Sequence, residues 1–346
     1  MDDSSSRCPP VGARHRVTIP VPIDPSGSRG PTKRQAASDD WRRTSRGFYV
    51  PSHVEPSPPQ RIAEVAVLLR SDRIAVTGWA SLAWRGDPWA SGRRADGSLT
   101  PVDLTSTHAL LKPQPAFRLS QERADPREFE VVDGLRVTTA PAAVCFAVRH
   151  ATSLDAAVEV LDMAYLADLV TPEEVGEWAQ AHPWQRRRPR VAAALELADE
   201  NAWSPQEVHL RLAWLRATGR RPLTNRPVFD SSGRRVATPD LLDPMTGVAG
   251  EYDGDVHLTR AGRRRDLGRE QALRAVGLEP FTVVAGDLRD GRFEERLRVA
   301  EGRAARVASA DRHWTVEPPD WWVPTTTVAE RRALAPHERR IWLRRG

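Results

Sequence analysis

The sequence predicts an α+β protein: a mostly helical N-terminal domain, then a domain whose elements run α-β-β-β-α-β. Three observations carry that expectation. Apolar residues recur at helical spacing in Ile62, Val65, Ala66 and Leu69, and again in Leu154, Val158, Leu161 and Tyr165. Asp133-Gly134 joins two short apolar runs, a hairpin signal. After Trp203 the helices give way to short runs punctuated by the turn-forming stretches 230–233 and 243–247.

Composition narrows the classes. With 346 residues and 40% hydrophobic content, the chain is long enough for two cores plus tails. Fifty-one Lys+Arg against 46 Asp+Glu leave a formal charge of +5, which suits a partner carrying phosphates without requiring one. Cys8 and Cys145 are too few for a disulfide framework or a zinc knuckle, so a reducing, cytoplasmic setting is expected. No run of about 18 apolar residues occurs, so no membrane partner is expected. The only lysines, Lys33 and Lys112, precede Arg34 and Pro113, which removes the Gly-Lys-Ser/Thr of a phosphate-cradling loop. His-Glu-x-x-His and Gly-x-Gly-x-x-Gly are absent as well. Nucleotide hydrolase, zinc protease and dinucleotide oxidoreductase all lose their usual support.

Four regions follow in order. Residues 1–46, rich in Ser, Pro, Arg and Gly, are expected to form a disordered tether. Residues 47–200 form the helical domain, with helices over 61–69, 77–84, 140–150, 154–168 and 191–199 and short strands at 102–104, 109–111, 129–132 and 135–138. Thr171 to Glu174 reads as a capping box opening a further helix. The third region, 201–311, opens with a helix from Ser204 to Thr218. Strands follow at 223–229, 234–242 and 248–253, then a helix over 259–276, a strand at 280–284 and a last helix. Residues 312–346 form a tail carrying Trp314, Trp321, Trp322 and Trp342 among prolines and arginines.

The chemistry concentrates between Ala237 and His257, where Asp240, Asp243, Glu251, Asp253, Asp255 and His257 share two short strands and a turn. Carboxylates that close repel unless they splay into water or a cation sits among them. Cross-strand neighbours stand about 5 Å apart, which suits Asp240 and Glu251 to holding a hard divalent cation, Mg²⁺ or Mn²⁺. Such an ion polarises a phosphate and lowers the pKa of bound water, and an unperturbed imidazole, which titrates near neutrality, suits His257 to proton transfer.

Pro239-Asp240, Glu251-x-Asp253-Gly254 and His257, in that order of elements, resemble the restriction-endonuclease-like superfamily, closest to very-short-patch-repair-type nickases. Uncharacterised actinobacterial proteins carrying that domain share the pattern. The resemblance covers about 203–307 and implies a DNA partner and Mg²⁺-dependent phosphodiester cleavage. It implies Asp240 and Glu251 as metal ligands, Glu207 as a third acid, and His257 as the proton-handling group. The superfamily's lysine two residues after the second acid is replaced by Asp253, leaving Asp253 or His257 to do its work. Residues 47–51 and about 61–199 resemble, more weakly, type IV abortive-infection antitoxins, which implies transcriptional repression and a toxin or other protein partner.

Plainer roles stand beside these. Glu207 fits a Ser-x-x-Glu capping box, and Asp253-Gly254 fits a strand-ending turn. Arg260, Arg264, Arg265 and Arg269 cluster as DNA-phosphate contacts, partly neutralised by Asp266 and Glu270. The sequence thus supports a Mg²⁺-dependent endonuclease, with a catalytically inactive DNA-binding regulator as the alternative.

Overall fold

The computed structural model describes residues 15–343 except 95, 109–110, 123–124, 185–186, 255–259 and 285; the side chains of 260–267 and 309 are likewise not described. The chain starts with β1 (Val21–Pro22), β2 (Trp41–Ser45), β3 (Phe48–Pro51), α1 (Pro58–Ala66), β4 (Ile74–Val76) and α2 (Gly78–Arg85). Next come β5 (Val102–Ser106), β6 (Phe117–Ser120), β7 (Phe129–Val132), β8 (Leu135–Thr138) and α3 (Ala140–His150). Helices α4 (Leu154–Leu166), α5 (Pro172–Ala181), α6 (Arg188–Leu197) and α7 (Pro205–Thr218) follow. Then come β9 (Leu223–Thr224), β10 (Val228–Asp230), β11 (Arg235–Ala237), β12 (Leu241–Asp243), β13 (Val248–Asp253), α8 (Arg260–Ala275), β14 (Glu279–Val284) and α9 (Arg292–Ala304). The chain ends with β15 (Trp314–Thr315), α10 (Val328–Ala333) and α11 (Pro336–Trp342).

These elements make an α/β protein, with eleven α-helices and four small sheets among the described residues, and the expected α+β class with a mostly helical N-terminal domain is corrected. Residues 47–200 contain a five-stranded mixed sheet ordered β6-β5-β4-β8-β7. Its centre, β4, is three residues long and buried at every position, so it shows no alternation to read. The expected strand at 109–111 lies largely outside the described residues.

The expected disorder of 1–46 is corrected for 15–46. There β1 and β2 flank β3 in a three-stranded antiparallel sheet. Asp24 organises the preceding loop: its carboxylate accepts the backbone N–H groups of Ser26, Ser28 and Arg29 at 2.9–3.1 Å. Those bonds to the charged form hold its pKa well below the usual carboxylate range. A Ser/Pro/Gly-rich composition thus covers an ordered, side-chain-bonded loop rather than a tether.

Two compact units divide the chain: 1–152 with 172–193, and 153–171 with 194–346. In the first, Ile62, Val65 and Leu69 of the α1 region pack with Ile74, Val76, Trp84, Leu104 and Val137 around the five-stranded sheet.

The second unit is built on a four-stranded sheet ordered β14-β13-β12-β9, in which β13 runs parallel to β14 and antiparallel to β12. The strands expected at 223–229 and 234–242 each break in two. Their outer halves, β10 and β11, leave to form a separate sheet with β15. Pro227 and Pro239 stand at the two breaks, where the missing N–H cannot continue a ladder. Leu210 and Trp214 of α7 pack with Leu241, Val248 and Val283, while Leu273 of α8 packs with Leu242 and Ala249. Gly250 has no side chain because a Cβ there would lie 2.9 Å from the Trp214 ring.

The tail folds back onto this unit. Trp314 pairs with Asp230 in the β10–β15 ladder, and Trp322 meets Phe229 and Trp342 edge-on at 5.2 and 5.1 Å. No helix among the described residues is long and apolar enough to cross a membrane.

Candidate metal and phosphodiester site

The β12–β13 register pairs Leu241 with Gly250 and Leu242 with Ala249. Continued by one residue, it sets Asp240 opposite Glu251. Side chains alternate along a strand, and Leu242 and Ala249 face α8. Asp240 and Glu251 therefore share the α8 face of the sheet, and Asp253, the last residue of β13, is in phase with them.

Asp240 is half-buried. Its Oδ2 accepts the Tyr252 N–H at 2.7 Å, and its Oδ1 accepts no hydrogen bond from the described residues. Burial raises its pKa, opposed by the Tyr252 bond and by the positive charge of Arg269. Arg269, on α8, places its Nε 2.8 Å from Glu251 Oε1 and donates to the Thr238 carbonyl. Expected at DNA phosphates, it stands instead among the acids, where the repulsion calls for a cation.

Glu207 lies in the first turn of α7 and is 8% exposed. Its Oε2 accepts the Trp203 N–H at 2.8 Å and its Oε1 the Ser204 hydroxyl at 3.0 Å, while its own N–H donates to Ser204 Oγ. The capping role is therefore real, yet it is not the whole of it. Burial first, and then the charge of Asp240, push the Glu207 pKa up to about 7. The two acids thus feel each other although one caps a helix and the other stands just before a strand.

Asn225 and Asn201, which the sequence reading did not single out, tie them together. Asn225 donates from Nδ2 to Glu207 Oε2 at 2.7 Å and from its backbone N–H to the Asp240 carbonyl at 2.9 Å. It holds a left-handed φ of 47°, a conformation asparagine tolerates better than most residues. Asn201 donates to the carbonyls of Thr224 and Asn225 at 2.8 and 3.1 Å, fixing that turn. Asn225-Arg226-Pro227 gives a turn signal in sequence, but nothing in it announces an amide reaching a carboxylate 18 residues upstream.

His257 lies outside the described residues, as do the side chains of Arg260, Arg264 and Arg265 on α8. Among the described residues no group of three or more His, Cys, Asp or Glu side chains is arranged around a common metal position. The donors present still fit Mg²⁺, which takes one or two carboxylates and fills its remaining positions with water and substrate oxygens. Asp240 Oδ1 takes no hydrogen bond from the described residues, and a guanidinium already supplies positive charge between the acids. Comparison with protein-family models, curated proteins and solved structures returned no match.

Proposed function

We propose that the second unit cleaves phosphodiester bonds in DNA with Mg²⁺ or Mn²⁺. The observation that carries this reading is the half-buried Asp240, one of whose carboxylate oxygens accepts nothing from the described residues, on the same sheet face as Glu251. Buried like charges are kept where something is to be bound between them. Asp240 and Glu251 would hold the ion, which supplies Lewis acidity toward a phosphate oxygen. The Tyr252 N–H orients Asp240, and Asn225 fixes Glu207 beside it. Arg269, exchanged off Glu251, becomes a donor for a phosphate oxygen. The formal charge of +5 favours association with a polyanion. Supercoiled plasmid incubated with the protein and Mn²⁺ or Mg²⁺ tests the reading. Nicking is expected, with a loss of roughly a hundredfold or more in Asp240→Asn and Glu251→Gln.

A second reading has its own observation. Arg269 offsets the charge of Glu251, and neutral donors from Trp203, Ser204 and Asn225 satisfy Glu207, without any metal. On that reading the protein is a non-cleaving DNA-binding regulator with a toxin or other protein partner. Salt-dependent DNA binding that persists in Asp240→Asn, with no cleavage under either metal, would select it.

A further inference from the structure

Between α2 and β5 the first unit carries a short hairpin, residues 92–94 and 96–100, that shares no residue with the acid site. Arg93 pairs with Leu99 across it. The Arg94 N–H donates to the Ser98 carbonyl at 2.9 Å, and the Thr100 N–H to the Gly92 carbonyl at 2.8 Å.

The hairpin is fixed at its base. Gly92 lies against the Trp79 ring, where a Cβ would come within 2.5–2.6 Å of three ring atoms, and it holds a left-handed φ of 62°. Only glycine meets both demands. Trp79 Nε1 donates to the Pro101 carbonyl at 2.9 Å. Arg61 of α1 is buried, and its guanidinium stands 4.9 Å from the centre of the same ring. It donates to the Gly92 and Thr100 carbonyls, one on each strand, and so staples the hairpin shut.

What this mounting holds together is positive charge. Arg93 and Arg94 are exposed, and they donate only to neutral acceptors of the hairpin itself. Arg93 Nη1 reaches the Gly97 carbonyl, and Arg94 Nη1 the Ser98 hydroxyl and the Leu99 carbonyl. Neither forms an ion pair among the described residues. Burial first, and then the nearby charge of Arg93, lower the pKa of Arg61. Glu64, whose charge also reaches Arg61, is held by Arg42 at 2.6 Å. Asp96 is the hairpin's own acid, and it accepts the Ser98 N–H at 2.8 Å while offsetting part of the charge of Arg94.

Three cations kept this near one another on a rigid base repel until an anion arrives. Nη2 of Arg93 and of Arg94 makes no hydrogen bond among the described residues, which leaves each guanidinium able to grip a phosphate oxygen. Leu99, directly opposite Arg93, and Trp89, three residues ahead of Gly92, are both exposed. Sugar and base faces cover apolar surface of that kind, whereas a free phosphate does not.

We infer that this hairpin is a second nucleic-acid contact of the chain, in which Arg93 and Arg94 take phosphates of a DNA backbone. The inference rests on the DNA partner proposed above and not on cleavage.

Fluorescence anisotropy of a labelled duplex of about 20 base pairs, with the full-length protein in EDTA over about 50–300 mM salt, reads binding apart from any cleavage. The parent is expected to bind with Kd at or below about 10 µM at the lowest salt. Arg93→Gln with Arg94→Gln should weaken binding about tenfold there and lower the slope of log affinity against log salt by about 2. Arg70→Gln with Arg73→Gln removes the same charge from the turn leading into β4 and should change affinity less than about threefold. Arg93→Lys with Arg94→Lys keeps the charge and should recover the slope. Losses no larger in the hairpin pair than in the control pair, a loss that lysine does not recover, or no binding by the parent overturns the inference. Poly-glutamate that displaces the labelled duplex as well as unlabelled duplex does also overturns it, by assigning the hairpin to an acidic protein. Should plasmid nicking be absent while this pattern holds, the cleavage reading alone fails.

Discussion

Asp87 shows how a single side chain can set a pH dependence. It follows the Gly86 C-cap of α2, is 5% exposed, and accepts the Trp89 N–H at 2.8 Å. Burial outweighs that bond and pushes its pKa up to about 6. The folded value lies above the unfolded one, so the fold prefers the protonated acid. The stability this contributes is fully present below about pH 4 and is lost as pH rises through about 6. Asp87→Asn keeps an acceptor for Trp89 and removes the charge. It should match the parent near pH 4 and exceed it by about 2 to 3 kcal/mol at pH 8. Urea unfolding of both proteins across that range checks it, and a difference that does not grow with pH would refute the assignment. Asp240 and Glu251 stand out in sequence because like charges two short strands apart need a reason. Arg269 does not stand out as a partner of the acids, because among six arginines from 260 to 274 nothing in the sequence says that this one turns toward the sheet.

At the scale of elements, legibility followed local signals. Helix α3 shows its apolar face and its limits in sequence, and α7 is announced by Ser204, Pro205 and Glu207. The strands of the second unit were visible as runs, but their division between two sheets depends on pairing partners far along the chain, β15 above all. The tail's tryptophans do not say in sequence whether they pack back on the chain or serve a partner. What anchors this segment is polar: Arg331 of α10 is fully buried. It donates to Asp168 Oδ1 and the Tyr165 carbonyl, both at 2.7 Å, and to the Glu200 and Thr325 carbonyls at 3.1 and 3.2 Å. Asp168 holds a left-handed φ of 56° and also accepts Arg339 at 2.6 Å. Arg331→Ala leaves that carboxylate short of a partner and several carbonyls unsatisfied. A loss of about 3 to 5 kcal/mol is expected in denaturant unfolding. Arg332→Ala, one position along on the exposed side, should cost less than about 1 kcal/mol by the same measurement. Equal losses would mean that the buried arginine does not clamp the tail.

For the whole molecule, the chain passes from the first unit into the second at α4, returns for α5, and crosses again within α6. An amphipathic helix announces that it is buried but not against what, so a division into consecutive blocks near 47, 201 and 312 misses this interlacing. The consequence is energetic. Arg211 of α7 is 1% exposed and pairs at 2.6 Å with Asp162 of α4, which is fully buried and also accepts the Asp199 N–H. His209 of α7 meets Glu159 of α4 at 3.0 Å, and Arg216 meets Asp155. A fragment starting at residue 194 keeps the sheet with Asp240 and Glu251 but loses Asp162, Tyr165 and Asp168 together. Arg211 and Arg331 then lose their ion-pair partners, and the face of α7 that packs on α4 is uncovered, against a stability of only about 5–15 kcal/mol for an ordinary domain. Fragment 194–346 should therefore give a non-cooperative melt and poorly dispersed amide resonances. Fragment 153–346, which restores α4, should melt cooperatively, and Asp162→Ala within it should return it to the behaviour of the shorter piece. If 194–346 folds as well as 153–346, the acid site does not depend on α4, and the boundary near residue 201 drawn from sequence would be the physical one.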